Sequence, residues 1–160
     1  MTVNEVMTKR VVTCLPETNL AEATALMWEN GCGVLPVLGA GGEVVGVVTD
    51  RDICIALGTR NVRASDLSVR DVVHDHTLVC NPDDEIHTAL KMMREGKIRR
   101  LPVVTENSRL EGIVSLDDVV LKAGNGDGAA HSEISYTEVV TTMQAIYAHG
   151  DPLRAQAAVV

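Results

Sequence analysis

Phenylalanine is absent from these 160 residues, and the only aromatic side chains are Trp28, Tyr136 and Tyr147. A stacking platform for single-stranded nucleic acid needs more rings than that. Basic residues are in the minority: 14 Lys and Arg stand against 22 Asp and Glu, a net charge of −8 at pH 7. Such a chain repels phosphate backbones, which argues against nucleic acid as a partner. No apolar run approaches the roughly 18 residues of a membrane span, so no membrane partner is expected. Glu5 stands early in a start that lacks the apolar core of a secretory signal, and the expected location is cytoplasmic. Cys14, Cys32, Cys54 and Cys80 form no CxxC pair. In a reducing compartment they read as small buried apolar residues, with redox sensing the weaker option. Walker loop, nucleophile elbow and HExxH are all missing, so no catalytic residue is expected. His74 and His76 could supply two ligands to zinc or nickel, but no third stands nearby. A surface loop is the better reading there, and no metal site is expected.

What the chain does have is apolar content, 46% of residues, and a copy of itself. A shift of 66 lays residues 3–56 over 69–122 without a gap, with identity at 13 of those 54 positions. Among them are Cys14/Cys80, Pro16/Pro82, Ala23/Ala89, Met27/Met93, Leu35/Leu101, Pro36/Pro102, Gly46/Gly112 and Asp52/Asp118. Internal duplication of this length is an architectural signal.

Each copy follows the order αβαββα. A short helix opens at a capping box, Thr2 to Glu5 or Ser68 to Asp71. A short β segment ends at Pro16 or Pro82. An amphipathic helix follows. In the first copy Asn19 caps it, Leu20, Ala23 and Met27 form its apolar face, and Gly31 ends it. In the second it runs from about Asp84 to Glu95, with Gly96 as its stop. Two strands come next, joined by a polar turn at Gly39–Gly42 or Glu106–Ser108. A last helix starts near Asp50 or Leu116. One such unit, a three-stranded sheet with helices on one side, is too small to bury its apolar surface well. Two copies packed sheet against sheet solve this. The fold class is α+β, with two αβαββα repeats related by pseudo-twofold symmetry, sheets face to face, plus a C-terminal helix.

The repeats are assigned to 1–58 and 68–123, with a polar linker over 59–67. Residues 124–131 are Gly-rich and read as flexible. One further amphipathic helix, about 135–148, opens at a Ser135/Glu138 capping box and aligns Tyr136, Val139, Val140, Met143, Ile146 and Tyr147. His149 lies near its end, and Gly150 and Pro152 terminate it; the last ten residues read as frayed. The helix either packs back on the module or meets a partner.

Gly46-Val47-Val48-Thr49-Asp50-Arg51-Asp52 recurs as Gly112-Ile113-Val114-Ser115-Leu116-Asp117-Asp118. A strand ends at the hydroxyl residue and a helix begins there. The hydroxyl and the free amides of a helix start suit a phosphate oxygen. The aspartate, on the first turn, can accept from two neighbouring hydroxyls, such as those of a ribose. The same pattern also makes an ordinary capped helix start.

With GVLPVLGAGGEVVGVVTDRDI in one copy and IRRLPVVTENSRLEGIVSLDDV in the other, residues 1–123 resemble a tandem pair of CBS domains, a Bateman module. The likeness is to free-standing prokaryotic CBS-pair proteins. It implies a non-catalytic regulatory module that binds an adenosyl nucleotide in the cleft between the repeats. AMP or ATP is the first choice, then ADP, NAD or S-adenosylmethionine, and no obligatory cofactor is implied. Asp52 would hold a ribose and Thr49 a phosphate at one site, and Asp118 with Ser115 would do so at the other. The positions before each Leu-Pro strand reach the base or phosphate: Cys32 and Gly33 in the first copy, Ile98, Arg99 and Arg100 in the second. The resemblance sets Thr49 and Asp52 opposite those arginines, whose planar guanidinium groups suit phosphate. Arg51 is a further phosphate or salt-bridge candidate. A homodimer is implied, with an effector protein as a possible partner. The alternative is a ligand-independent scaffold acting through its C-terminal helix.

Overall fold

The computed structural model describes residues 1–73, 77–124 and 134–148. Helix α1 spans Leu20–Glu29, strands β1 and β2 span Val34–Leu38 and Val44–Thr49, and α2 spans Asp50–Arg60. The second copy repeats this as α3 (Ile86–Gly96), β3 (Arg100–Val104), β4 (Leu110–Ser115) and α4 (Leu116–Lys122). Helix α5 covers Tyr136–Tyr147. The architecture is mixed α+β, with two small sheets, β1 with β2 and β3 with β4. His74, His76, the glycine-rich segment 125–131, His149, Gly150, Pro152 and the expected frayed end all lie outside the described residues.

The expected third strand is reduced to one bridging residue in each copy. Cys14 pairs in parallel with Val37, and Cys80 with Val103. Pro16 and Pro82, two residues on, lack the N–H that would carry the ladder further. Strand β1 runs antiparallel to β2, with Leu35 opposite Val48 and a shift of register after Val37. It reads as a continuous apolar run because four of its five residues are buried.

Contacts divide the described chain into two compact units, and these are not the two repeats. One contains Thr8–Asn81 with Pro102–Ile113; the other contains Met1–Met7, Pro82–Leu101 and the chain from Val114 on. Each opening capping box forms, around a single 3₁₀ turn at Val3–Glu5 and at Val69–Asp71. Each turn docks on the segment that leads into the amphipathic helix of the other repeat. The Val3 and Asn4 amides donate to the Asp84 and Pro82 carbonyls, while Val69 and Arg70 donate to Thr18 and Pro16. The side chains of Val3 and Val69 are fully buried there.

In the unit that holds the first copy, Leu20, Ala23 and Met27 of α1 pack with Leu35, Val37, Val48, Ile53 and Val69. In the other, Ile86, Ala89, Leu90 and Met93 turn α3 inward, and Val114, Val119, Ile134, Val139 and Ile146 are buried with them.

Asn19 caps α1 as expected, its side chain accepting from the Glu22 amide at 2.9 Å. Gly31 follows the helix at φ +61. In the second copy Gly96 is the last helical residue, not the stop. Lys97 takes the left-handed position, φ 51, that the 66-residue shift places opposite Gly31. The polar turns behave alike, with Gly42 at φ 82 and its counterpart Ser108 at φ 59. Helix α2 runs through Arg60 and ends on Asn61 at φ 51, so the first residues of the expected linker are helical.

Helix α5 packs against α3 and α4. Ser135 caps it by accepting from the Glu138 amide, but Glu138 does not complete the expected capping box. Its carboxylate is drawn instead to His87 Nδ1 on α3, 2.8 Å away. Only Val139, Thr142 and Ile146 are buried on α5; Tyr136, Val140, Met143 and Tyr147 of the expected apolar face remain exposed.

Candidate functional site

Both Ser/Thr-x-x-Asp segments lie where a strand gives way to a helix. At the end of β2 the Thr49 hydroxyl accepts from the Asp52 amide at 3.2 Å and donates to Asp52 Oδ2 at 2.6 Å. The Thr49 amide also donates to Oδ2, at 3.0 Å. The second copy matches bond for bond: Ser115 Oγ accepts from the Asp118 amide at 3.1 Å and donates to Oδ2 at 2.5 Å, and the Ser115 amide donates to Oδ2 at 2.8 Å. Each aspartate therefore serves first as half of a capping box. That role sets two donors, the amide and the hydroxyl of the capping residue, on one carboxylate oxygen. Asp52 and Asp118 are both half-buried.

The residue before each Leu-Pro strand is tied to the same helix start. The Asp50 amide donates to the Gly33 carbonyl at 3.2 Å, and the Leu116 amide to the Arg99 carbonyl at 2.9 Å. Cys32 and Ile98 make equivalent bonds one residue earlier, their amides donating to the Met27 and Met93 carbonyls. The structure thus brings Cys32 and Gly33 to the start of α2, and Ile98, Arg99 and Arg100 to the start of α4.

The two sites then diverge. At Gly33 an added Cβ would stand 2.8 Å from Asp50 Oδ2, the movable end of a side chain that lies over this position. Its counterpart Arg99 is exposed and donates from Nη1 to the Tyr147 hydroxyl at 3.4 Å. Arg100 faces Asp117, Nη2 to Oδ2 3.8 Å. Arg51 is exposed on the first turn of α2, where its amide donates to Asp50 Oδ1. Cys32 and Gly33 also line a groove between α1 and α2, among whose lining residues Thr49, Arg51 and Asp52 do not appear.

Sequence reasoning missed the contacts made by α5. Arg94 Nη1 donates to Thr142 Oγ1 at 2.9 Å and Lys97 Nζ to the Ala148 carbonyl at 3.1 Å. Thr142 was the available signal, a hydroxyl midway between Val139 and Ile146 on a face that must be buried. Among the described residues no group of three or more His, Cys, Asp or Glu side chains is placed to hold a metal. No described helix is long and apolar enough to cross a membrane.

The family model of the CBS domain matches twice, over residues 3–59 and 69–124. The chain belongs to the CBS-domain family. It is 32% identical to the CBS domain-containing protein YhcV of Bacillus subtilis over 139 residues, 86% of this chain and 97% of that one. An uncharacterised protein of Methanopyrus kandleri is 30% identical over 75% of this chain, which spans 61% of that relative's length. Matches to enzymes are partial: 35% identity to the homoserine O-acetyltransferase of Methanococcoides burtonii extends over only 23% of the enzyme. Among solved structures, that of CBSX2 in complex with AMP has a TM-score of 0.64 and 29% identity over 75% of this chain and 93% of that one.

Proposed function

We propose that this tandem CBS protein is a non-catalytic regulatory module that binds an adenosyl nucleotide, AMP or ATP before ADP, NAD or S-adenosylmethionine. It acts in the cytoplasm as a homodimer and reports ligand occupancy to an effector protein through a change of shape or assembly. The observation that carries this reading is the pair of Ser/Thr-x-x-Asp capping boxes at equivalent strand-to-helix junctions. One such box is an ordinary helix start; two, in a chain similar to an AMP-bound protein, suit ribose and phosphate. Thr49 and Asp52 serve the first site and Ser115 and Asp118 the second, with Arg51, Cys32, Gly33, Ile98, Arg99 and Arg100 as supporting residues. The arginines supply the positive charge that an acidic protein needs to hold a polyphosphate. A ligand that prefers one arrangement of the protein shifts the population by its difference in affinity between the two.

The test is thermal unfolding against AMP, ADP, ATP, NAD, S-adenosylmethionine and GTP, on the parent and on Asp52→Asn and Asp118→Asn. Each ligand shift is read against that variant's own ligand-free midpoint. A ligand at about 100 times its Kd adds about 2.7 kcal/mol, a shift of several degrees in a protein of this size. A shift confined to adenosyl ligands and diminished by one aspartate substitution supports the reading and ranks the sites. No shift with any ligand overturns it in favour of a scaffold acting through α5, a role that the exposed stripe Tyr136, Val140, Met143 and Tyr147 would suit.

A further inference from the structure

Helix α5 carries two apolar stripes, and only one of them is covered. The inner stripe rests on α3 and α4, where Arg94, Lys97 and Arg99 donate hydrogen bonds to Thr142, Ala148 and Tyr147. The outer stripe is Tyr136, Val140, Met143 and Tyr147, spaced i, i+4, i+7 and i+11, with exposures of 49%, 50%, 37% and 48%. The single charged residue of α5, Glu138, is paired with His87. The outer face therefore carries no charge, in a chain whose residues are 22% charged. A solvated helix face ordinarily mixes charges into such a stripe.

The repeat supplies a second seat of the same kind. Helices α1 and α2 are the counterparts of α3 and α4, and between them lies a groove of about 620 Å³ lined by Thr24, Met27, Trp28, Ile53, Cys54 and Leu57, among others. The 66-residue shift places Trp28, Gly31 and Gly33, which all line this groove, at the positions of Arg94, Lys97 and Arg99. Arg94, Lys97 and Arg99, which tie α5 to its seat in the second copy, are thus replaced by an aromatic ring or a glycine in the first. Trp28 is 87% exposed, an uncommon position for the only tryptophan of a chain. The second copy shows that this pair of helices accepts a helix. The residues that differ strip the cations from the first copy's seat, whose lining is apolar apart from Thr24 and Asp50.

We propose that in the homodimer the outer stripe of α5 from one copy lies in the α1–α2 groove of its partner, and reciprocally. Two such contacts related by a twofold axis close the assembly, so neither stripe nor groove is left open. The contact is helix-in-groove docking with Val140 and Met143 as anchors against Trp28. This inference rests on the homodimer part of the reading above and is independent of the nucleotide.

Sedimentation equilibrium across a wide concentration range, with Trp28 emission read in parallel, tests it on the full chain. The parent is expected to be a dimer, with emission shifting to shorter wavelength on association. Trp28→Glu and Val140→Glu change exposed side chains, so thermal unfolding should show both still folded. Each should weaken dimerisation at least about tenfold. The double substitution Trp28→Glu with Val140→Lys sets opposite charges across the contact and should recover part of the association. Leu121→Glu, which alters an equally exposed residue of α4, should leave the dimer intact. A monomeric parent overturns both this contact and the homodimer reading. A dimer that survives Val140→Glu overturns the contact alone, even where Trp28→Glu disrupts it. Nucleotide-dependent unfolding is measured separately, so its failure is distinguishable from either.

Discussion

Arg99 donates from Nη1 to the Tyr147 hydroxyl, 3.4 Å away, joining the start of β3 to the last turn of α5. The first copy has nothing like it, because Arg99's counterpart is Gly33, over which the Asp50 side chain lies. A side chain proposed to hold phosphate is thus also a fastener of the C-terminal helix. Tyr147→Phe removes the hydroxyl and keeps the ring. It should raise affinity for ATP a few-fold, with less effect on AMP, by releasing Arg99 from a competing partner. Isothermal titration of both nucleotides checks this. An ATP affinity that falls with Arg99→Ala but ignores Tyr147→Phe would mean that the two roles are independent.

The capping boxes make a separate claim on stability. Ser115→Ala and Thr49→Ala each remove an oxygen that accepts from the third amide of a helix. The expected cost is about 1 kcal/mol apiece, or roughly 2–4 °C in Tm. Ligand-free thermal unfolding measures it. Variants that unfold at the parental midpoint would show that water replaces the cap without penalty.

Those junctions were the most legible part of the sequence. Thr49, Asp52, Ser115 and Asp118 declare both a helix start and a repeat, and each box forms where the pattern puts it. Asn19, Leu20, Ala23 and Met27 were equally plain, because capping and helical spacing are local properties. What stayed hidden depends on contacts far apart in sequence. Lys97 takes a left-handed turn beside a glycine because the second copy inherits the first copy's backbone and not its residues. Glu138 leaves its cap for His87, 51 positions away, a partner that no local pattern names. The outer stripe of α5 merged with the inner one into a single apolar face, since only packing separates Val140 from Val139.

Thr142 has no exposed surface, and its hydroxyl accepts from Arg94. Arg94→Ala should therefore destabilise the protein by about 1–3 kcal/mol, the penalty of leaving a buried hydroxyl without that donor. Adding Thr142→Val should recover much of the loss. A double-mutant cycle in denaturant gives the coupling, and strictly additive effects would show that the bond contributes nothing.

Burial, with Glu22 adding to it, pushes the Cys14 thiol from 9.0 up to about 11. The folded chain keeps this proton where the unfolded chain releases it. Stability should hold below pH 9 and decline between pH 9 and 11, by something on the order of 1–2 kcal/mol. Cys14→Ala should flatten that decline in alkaline unfolding curves. At neutral pH a thiol reagent should label exposed Cys54 before buried Cys14 and Cys80. Equal rates for all three would contradict the burial.

The docking of each opening turn on the opposite repeat has a consequence for how such a gene could be divided. A fragment ending at Arg60 would carry Val3, whose place is beside Asp84, and lack Val69, whose place is beside Thr18. Neither half of the gene encodes an independently complete folding unit. Two identical single-repeat chains, however, could each complete the other by trading their first turns. A one-repeat ancestor would then have been an obligate pair before duplication fused it, and separately expressed halves of the present protein should be soluble together and fail apart.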